Sequence, residues 1–437
     1  MLDIKFIREN KEAVEENAKN RGASVDIDKI LSLDKQRRKI IVQVEALRAN
    51  QNKASDEIAK EKEPAMRQAK IDEMKKVKEE LAALEPSLKK IEEEYAKLLG
   101  SVPNMAMADV PKGKDENENI PMRQVGKILE FDFKPKEHWE IGEALDIIDT
   151  KRAAKVSGAR FGYLKGGAAL MEFALIQLVF SVVTDEGILK KIIKAAKLKI
   201  ESKPFIPVVP PVLIKTEPFK RMARLEPREE RYYIPEDDLY LVGSAEHTLG
   251  ALHMDEIFNE SDLPVRYIGF STAFRREAGS YAKDLKGILR VHQFDKAEME
   301  SFCLPEKSIE EQNLFVAIQE HLMQLLKIPY QVVMICTGDM GAPDARQIDI
   351  EAWLPGQNRY RETHTADLMI DYQSSNLNTK VKRPNGKTEF VHMNDATAFA
   401  IGRMLIAIIE NYQQKDGSVK IPKVLQPYMG GMEIIKK

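Results

Sequence analysis

Residues 267–298 read YIGFSTAFRREAGSYAKDLKGILRVHQFDKAE, and this stretch decides how the second half of the chain is interpreted. The run up to Phe274 has the apolar, β-branched and aromatic residues of a strand, a polar glycine-containing loop follows, and a second strand is expected to end at Phe294. Such a unit suits a nucleotide, because Arg275 can bind a phosphate, Glu277 can accept from an exocyclic amine, and an aromatic ring can stack on the base. Taken alone, an Arg/Glu pair is more often a surface ion pair.

The sequence around this stretch alternates helical and strand patterns. The expected helical stretches are Ala168–Leu198 and Ile309–Leu326, and the further expected strands are Val265–Phe270, Tyr330–Ile335, Gln347–Leu354 and Phe390–His392. Short connections between several of these strands favour antiparallel pairing. We therefore expect an α+β domain with a mainly antiparallel sheet flanked by helices, separated from the N-terminal part by a polar, proline-containing linker over residues 100–119.

The N-terminal part has the apolar period of a coiled coil. From about Lys29 the series is Ile30, Leu33, Ile40, Val44, Leu47, Ala54 and Ile58, and the second series is Val77, Leu81, Leu84, Leu88, Ile91, Tyr95 and Leu98. A break at Glu63-Pro64 predicts two long helices that fold back on each other, and Pro86 predicts a kink in the second. Basic residues of the first helix suit a phosphate backbone: Arg37, Arg38, Lys39, Arg48 and Lys53. A solvated hairpin for dimerisation or spacing is an equally good interpretation of the composition.

Composition limits the remaining classes of protein. Charged residues make up 31% of the chain, but the net charge is only -2, so any contact with nucleic acid must be local. The two cysteines, Cys303 and Cys336, are far apart and form no CxxC or Cys/His cluster, so we expect no zinc and no disulfide framework. The N-terminus lacks the apolar core of a signal peptide and no apolar run approaches the length of a membrane span, which predicts a cytoplasmic protein without a membrane contact.

The stretch at 267–298 resembles motif 2 of the class II aminoacyl-tRNA synthetases, and in particular of the seryl-tRNA synthetase family. Residues 205–211 (FIPVVPP) resemble motif 1, which forms the dimer interface in that class, and residues 399–407 (FAIGRMLIA) resemble motif 3. The matching segments that complete the resemblance are 244–246 (SAE), 338–341 (GDMG), 353–357 (WLPGQ), 410–417 (ENYQQKDG) and 424–430 (VLQPYMG). The resemblance covers the whole chain, with residues 1–110 matching a helical tRNA-binding arm, coiled over about 28–99, and residues 111–437 matching the class II catalytic domain.

The resemblance implies a serine–tRNA ligase reaction, in which ATP activates L-serine to seryl-adenylate and the seryl group passes to tRNA(Ser). It also allows tRNA(Sec) as a second acceptor, and it implies a homodimer and Mg²⁺ bound with ATP. The implied catalytic positions are Arg275, Glu362 and Arg403. The implied ATP-binding positions are Arg275, Arg276, Glu277, Val291, Phe294, Glu362, Thr363, His364, Thr365 and Arg403. The implied serine-binding positions are Ser244, Ala245, Glu246, Arg275, Glu298 and Thr397, and the implied metal ligands are Glu362 and Thr365.

The sequence departs from the family pattern at several of these segments. Ser244 replaces the usual threonine, Pro204 replaces a common glycine, and residues 374–376 (SSN) replace Ala-Arg-Arg, which removes two positive charges expected near the site. Residues 393–395 (MND) replace Thr-Leu-Asn, and the extra carboxylate of Asp395 is expected to face solvent, with an effect on ammonium binding as the alternative. Two rival functions remain: an adenylate-forming enzyme that acylates a non-tRNA acceptor such as a carrier protein, and a non-catalytic scaffold that kept the fold.

Overall fold

The computed structural model describes residues 1–278 and 286–437. The chain divides into two compact units, Met1–Pro103 and Asn104–Lys437, and the division falls within the polar segment at residues 100–119. The glycine-containing loop expected in the 267–298 stretch falls largely on residues 279–285, outside the described part of the chain.

The N-terminal unit is an antiparallel coiled coil that follows two short helices. Its helices are α1 (Ile4–Glu9), α2 (Lys11–Asn20), α3 (Ile27–Lys60) and α4 (Pro64–Gly100). The Asp26 carboxylate accepts from the Lys29 amide at 2.8 Å and caps α3. The register runs antiparallel, because Lys29 pairs with Glu94 near one end, Arg48 with Glu85 further along, and Glu57 with Lys70 near the other.

Proline has different effects at the two places where it occurs in α4. Pro64 is the first residue of the helix, where its missing amide costs no intrahelical hydrogen bond, and the expected break before it is confirmed. At Pro86, by contrast, the helix continues without interruption, so the ring does not end the helix. The side chain of Pro86 is exposed, and the solvated face of a long helix accommodates one missing hydrogen bond because water can satisfy the freed carbonyl.

The second unit is built from short strands, long strands and helices. The strands are β1 (Ile120–Val125), β2 (Ile148–Asp149), β3 (Tyr163–Leu164), β4 (Ile206–Val208), β5 (Leu213–Lys215), β6 (Tyr233–Ile234), β7 (Leu239–Leu241), β8 (Ile257–Asn259), β9 (Val265–Phe274), β10 (Gln293–Cys303), β11 (Tyr330–Met334), β12 (Arg346–Leu354), β13 (Arg359–Ile370), β14 (Lys380–Lys382), β15 (Thr388–Phe390), β16 (His392–Ala400), β17 (Val419–Lys420) and β18 (Ile434–Ile435). The helices are α5 (His138–Ala144), α6 (Thr150–Ser157), α7 (Gly167–Val183), α8 (Glu186–Ala195), α9 (Thr216–Arg221), α10 (Glu246–Leu249), α11 (Ser308–Leu326), α12 (Tyr372–Leu377) and α13 (Ile401–Asn411).

The main sheet has the order β1-β11-β12-β13-β16-β10-β9-β4, and every neighbouring pair is antiparallel except β4 with β9. The expected α+β fold with a mainly antiparallel sheet is therefore confirmed. Helices α7, α11 and α13 pack against the sheet in one continuous hydrophobic core. That core takes alternate residues of the central strands, such as Ala297 and Met299 of β10 and Ala396 and Ala398 of β16.

Three local predictions differ from the observed elements. The stretch predicted as helical at Ala168–Leu198 is two helices, α7 and α8, bent by 77°, because the Asp185 carboxylate accepts from the Ile188 amide and starts a new helix. The strand predicted at Phe390–His392 covers the end of β15 and the start of β16. The second strand of the 267–298 stretch begins at Gln293 and does not end at Phe294, so that prediction is wrong.

In the part of the chain that the structure describes, no single helix has both the length and the apolar composition to cross a membrane. Among the described helices, one bent pair, α7 and α8, has that length and composition when its two helices are taken together.

Candidate active site

The polar face of the main sheet carries a set of acidic and hydroxyl side chains on adjacent strands. In the register of β10, β16 and β13, Glu298 lies opposite Thr397, Glu300 lies opposite Asp395, and Asp395 lies opposite Asp367. Because successive strand residues point to opposite faces, these side chains share the face that turns away from the hydrophobic core. The alternation of apolar and acidic residues along three strands thus forms the floor of a polar site.

A cavity of about 260 Å³ lies over this floor. It is lined by many of the residues that the sequence singled out: Glu246, Arg275, Glu277, Val291, Phe294, Glu362, Thr363, Thr365, Thr397 and Arg403. These residues come from segments as distant as α10 and α13, so the fold brings widely separated parts of the sequence to one place. Further basic and acidic residues share the wall, namely Arg224, Arg290, Lys296, Asp339, Asp344 and Asp367.

Arg275 is fixed at one part of the wall by the end of β9. Its amide donates to the His292 carbonyl at 3.0 Å, and its Nε donates to the Gly243 carbonyl at 3.1 Å. The guanidinium carbon lies 5.4 Å from the centroid of the Phe294 ring, a cation–π arrangement. The guanidinium is therefore held in place by its neighbours and has further donors for an anionic ligand.

Glu277 and Arg290 face each other across the two sides of the same loop. Their side chains form an ion pair with 3.4 Å between Arg290 Nη1 and Glu277 Oε2. Glu277 adopts a left-handed backbone conformation with φ of 52°, which is uncommon for a residue with a Cβ and turns the chain sharply after Arg276. Both side chains line the cavity next to Phe294.

Arg403 and Glu362 form a second charged pair in the cavity wall. The distance from Arg403 Nη1 is 2.9 Å to Glu362 Oε1 and 3.0 Å to the Glu362 carbonyl. A bulge in β13 makes Thr363 the extra residue in the pairing with β12, so Glu362 and Thr363 both reach the cavity side. Burial raises the pKa of the Glu362 carboxyl, but the positive charges of Arg403 and Arg275 outweigh it and lower that pKa below its ordinary value. The side chain is still 49% exposed, which suits a group that meets a ligand.

Five positions expected to bind a ligand lie outside the cavity wall: Ser244 and Glu298 lie directly behind it, and Arg276, His364 and Ala245 lie away from it. Arg276 turns away, with its guanidinium carbon 5.7 Å from the Tyr232 ring centroid. His364 is fully buried, its ring lies 5.5 Å from that of Phe399, and burial lowers its pKa to about 3, so it is neutral. Ala245 is fully buried in a small hydrophobic cluster with its side chain away from the cavity.

The remaining positions expected to bind the amino acid form one hydrogen-bonded group. Ser244 Oγ lies 3.1 Å from both Glu246 Oε2 and Glu298 Oε1, and Thr397 Oγ1 donates to Glu298 Oε1 at 3.1 Å. Glu246 and Thr397 line the cavity, whereas Ser244 and Glu298 lie fully buried behind them. Burial raises the pKa of Glu298, while Glu246 is held charged because Arg224 and Lys296 outweigh the effect of its burial and lower its pKa.

Sequence reasoning missed Lys296 and Arg224. Lys296 forms an ion pair with Glu298 and donates to Ser244 Oγ at 3.2 Å. Its position on β10, two residues before Glu298, was the signal that could have placed it on the same face. Arg224 lies in the irregular segment after α9, and no local pattern marked it.

The structure shows where two of the departures from the family pattern lie and what they contact. Asp395 does not face solvent, contrary to the expectation, because it is fully buried and its Oδ2 lies 3.1 Å from Arg224 Nη2. Ser374 is buried in α12 and donates to the Val391 carbonyl at 2.5 Å, and the Ser375 hydroxyl donates to the Tyr372 carbonyl at 3.2 Å. Residues 374–376 do not line the cavity.

Comparison with known proteins identifies the family. A model of the seryl-tRNA synthetase N-terminal domain matches residues 1–106, and a model of the tRNA synthetase class II core domain (G, H, P, S and T) matches residues 230–412. The chain is 41% identical over 436 residues to the serine–tRNA ligase of Thermodesulfovibrio yellowstonii, which covers 98% of this chain and 99% of that protein. It is 43% identical to the serine–tRNA ligase of Dictyoglomus thermophilum, with 100% of both chains covered.

Solved structures agree with these matches. The seryl-tRNA synthetase of Pyrococcus horikoshii, complexed with ATP, superimposes with a TM-score of 0.82 at 36% identity and covers 100% of this chain and 99% of its own. The cytoplasmic serine–tRNA ligase of Naegleria fowleri, in complex with AMP, gives a TM-score of 0.79 at 31% identity over 100% of this chain. The chain therefore belongs to the seryl-tRNA synthetase family of class II aminoacyl-tRNA synthetases.

Proposed function

We propose that this chain joins L-serine to tRNA in two steps. In the first, a serine carboxylate oxygen attacks the α-phosphorus of ATP, the bond to the β-phosphate breaks, and seryl-adenylate and pyrophosphate form. In the second, a terminal ribose hydroxyl of tRNA attacks the acyl carbon and AMP leaves. The observation that carries the proposal is the single cavity in which Arg275, Phe294 and Arg403 share a wall with Glu246 and Thr397.

The ATP part of the site depends on charge and stacking. Arg275 would bind the α-phosphate, Arg403 the γ-phosphate, and Phe294 would stack on the adenine base, whose amino group would donate to Glu277. No covalent bond to the protein is needed, so the rate enhancement comes from positioning and from stabilising negative charge as the phosphorus centre reacts. The held guanidinium of Arg275 supports this role, because a preorganised donor needs no rearrangement when that charge develops.

Magnesium would be held by the Glu362 carboxylate and the Thr365 hydroxyl, both of which line the cavity. Two protein oxygens fit Mg²⁺, since this ion keeps several waters and substrate phosphates in its shell. Within the described residues, no group of three or more His, Cys, Asp or Glu side chains could hold a metal, which agrees with an ion that arrives with the nucleotide. Bound Mg²⁺ supplies charge neutralisation for the leaving pyrophosphate.

The serine part of the site would use Glu246 for the ammonium group and Thr397 for the side-chain hydroxyl. Glu298 already accepts from Thr397 and pairs with Lys296, so it supports the hydroxyl contact from behind the wall. A site that hydrogen-bonds a substrate hydroxyl leaves polar groups unpaired when alanine binds, which gives discrimination of about 10⁴ to 10⁵.

The coiled-coil arm would bind the acceptor, tRNA(Ser) and also tRNA(Sec), through phosphates and shape. Three of its basic residues already pair with acidic ones: Arg37 with Glu92, Arg38 with Asp34 and Arg48 with Glu85. The exposed Lys39 and Lys53 form no ion pair within the described chain, so they are the better candidates for phosphate contacts.

Variants at these two lysines test the role of the arm. Lys39→Glu/Lys53→Glu should raise the KM for tRNA about tenfold or more and leave ATP–pyrophosphate exchange unchanged, because two contacts with the phosphate backbone are replaced by repulsion. Lys423→Glu/Lys420→Glu, in the other unit, provides a charge-matched control. Aminoacylation with unchanged KM in the first variant would refute the proposed contact.

Dimer formation is proposed through the segment that resembles motif 1. Unusually exposed apolar side chains occur in this segment and on α7 before it, with Phe173 on α7 at 59% and Val209 after β4 at 87%. A second copy of the chain would cover them. Analytical ultracentrifugation of Val209→Asp should then give a lower mass than the parent chain, and equal masses would argue against this interface.

Pyrophosphate exchange tests the proposed reaction itself. When twenty amino acids are assayed separately, serine alone should stimulate exchange. Stimulation by a different amino acid would overturn the assignment of serine as the substrate. Arg275→Ala should lower exchange about 10² to 10³ fold, the usual loss for one preorganised donor. Arg276→Ala is a matched control, since Arg276 lies against Tyr232 outside the cavity and its removal should have little effect. Exchange without tRNA charging would favour a non-tRNA acceptor.

A further inference from the structure

Arg224 has an unusual environment in the cavity wall. Its Nε lies 3.4 Å from Glu246 Oε1, and its Nη2 lies 3.1 Å from Asp395 Oδ2, 3.6 Å from Asp344 Oδ1 and 3.7 Å from Asp367 Oδ2. One guanidinium thus faces four carboxylates, and its side chain is only 15% exposed.

The carboxylates around Arg224 belong to the sheet floor and to the loop above it. Asp367 and Asp395 come from the neighbouring strands β13 and β16, and Glu300, which pairs with Asp395 in the register of β10, lies fully buried beside them. Neither Glu300 carboxyl oxygen has a hydrogen-bond partner among the described residues. Arg224 is therefore the group that compensates a strongly acidic floor at the place where that floor meets the cavity.

The guanidinium is packed closely on the side of Gly341 and Asp344 and faces the cavity on another side. A Cβ at Gly341, which also lines the cavity, would lie 2.3 Å from Asp344 Oδ2 and 3.5 Å from Arg224 Nη1. The backbone of Arg224 is fixed as well, because its carbonyl accepts from Arg231 Nη2 at 2.7 Å. The guanidinium is consequently a rigid part of the wall that a ligand cannot easily displace.

We propose that Arg224 is the residue that sets the amino-acid specificity of this site: it orients the Glu246 carboxylate toward the substrate ammonium, and it closes the space beyond a hydroxymethyl side chain. This inference rests on the proposed function. Arg224 acts on the ammonium through Glu246. Glu246 Oε2 is hydrogen-bonded to Ser244 Oγ, and Glu246 Oε1 lies between Arg224 and the cavity. The second action of Arg224 is steric, because the guanidinium lines the cavity next to Glu246 and bounds the space left for a substrate side chain there.

A double variant that removes Arg224 together with its nearest carboxyl group tests the proposal. Arg224→Gln/Asp395→Asn removes the guanidinium and the carboxyl group 3.1 Å from it, shortens the side chain and keeps polar groups in place. In the exchange assay, its KM for serine should rise at least tenfold while its KM for ATP stays within about twofold of the parent value. The ratio of kcat/KM for threonine to that for serine should rise about tenfold, because one methyl group at a pocket wall is worth roughly 10- to 200-fold.

Two further variants separate specificity from stability. Arg224→Lys keeps the positive charge and loses the planar guanidinium. Its rejection of threonine should be close to that of the parent chain, but its KM for serine should remain raised. Arg383→Gln is a matched control: Arg383 also binds several carboxylates, those of Glu260, Glu306 and Glu389, but it does not line the cavity. Arg383→Gln should lower thermal stability and leave both amino-acid parameters unchanged.

The outcomes distinguish this inference from the proposed function. If the parent chain shows no serine-dependent exchange, the proposed function fails and the variants are not needed to show it. If the parent chain is active and Arg224→Gln/Asp395→Asn, folded by circular dichroism, keeps both the KM for serine and the threonine ratio within twofold, Arg224 is only structural and the inference is wrong.

Discussion

Arg266 joins three parts of the catalytic unit through a fully buried ion pair. Its Nε and Nη2 bind the two Glu311 oxygens at 2.9 and 2.7 Å, and neither side chain is exposed. Its Nη1 donates to the carbonyls of Glu201 and Lys203 at 2.9 and 2.7 Å. The guanidinium therefore ties β9 both to α11 and to the segment that precedes β4.

Replacing Arg266 with methionine keeps the apolar stem but leaves the Glu311 carboxylate buried without its counter-charge. Breaking a buried pair by removing one partner costs about 3 to 5 kcal/mol. Unfolding entropy is about 2.1 cal/mol/K per residue, or roughly 0.7 kcal/mol/K for a unit of about 330 residues, so Arg266→Met should lower Tm by about 4 to 7 °C.

Tryptophan fluorescence during heating measures this change selectively, because Trp139 and Trp353 are the only tryptophans in the chain and both lie in the second unit. The double variant Arg266→Met/Glu311→Gln removes the buried charge and should be more stable than the single variant. A single variant within 1 °C of the parent, or a double variant no better than the single one, would refute the reasoning.

Two further predictions concern the surroundings of the nucleotide cavity. Burial and the neighbouring Asp295 raise the pKa of Glu172 to about 9. Between about pH 4.5 and 9, the folded state therefore keeps a proton on Glu172 that the unfolded chain has lost. The free energy of unfolding should fall as pH rises through this window, by at most about 1.4 kcal/mol per pH unit. Urea unfolding at pH 6 and pH 8 should show a smaller loss for Glu172→Gln, and equal losses would contradict the shift. A Cβ at Gly287, where φ is 74°, would lie 2.0 Å from His138 Nε2, whereas at Gly386, where φ is 83°, nothing lies within 4 Å. Gly287→Ala should therefore lower Tm more than Gly386→Ala, because the Gly386 variant has only the backbone strain of about 1 to 2 kcal/mol. Gly287→Ala should also raise the KM for ATP. Equal losses of Tm in the two variants would exclude the clash with His138.

The parts of the fold that the sequence predicted correctly are those with a regular period. The spacing of apolar residues located α3 and α4, and runs of β-branched residues located β9, β11 and β12 within a few positions. The errors lie where one side chain overrides the pattern. The Asp185 carboxylate starts a new helix inside an apolar stretch, and the extra residue in β13 shifts which side chains face the cavity.

The same contrast divides the candidate site. Arg275, Glu277 and Phe294 follow one another on a single strand–loop–strand unit, so a local motif was enough to connect them. Arg224 reaches its carboxylates across 22 to 171 positions of sequence, and only the folding of the sheet, α10 and the loops above the sheet brings them together. Local sequence patterns relate residues that are close together along the chain, and the residues of this cluster are far apart in sequence.

Positive and negative side chains occupy different parts of the cavity wall, and this arrangement affects how both substrates bind. Arg275, Arg290 and Arg403 surround the part that Phe294 shares, while Glu246, Asp344 and Asp367 surround the part that Arg224 shares. ATP carries its negative charge on the phosphates, and a free amino acid carries a positive ammonium beside a negative carboxylate. On the proposed function, an ammonium drawn to the acidic part leaves the carboxylate directed toward Arg275 and the α-phosphate, which is the orientation that attack on phosphorus requires. On the same proposal, this polarity aligns the two substrates before any chemical step.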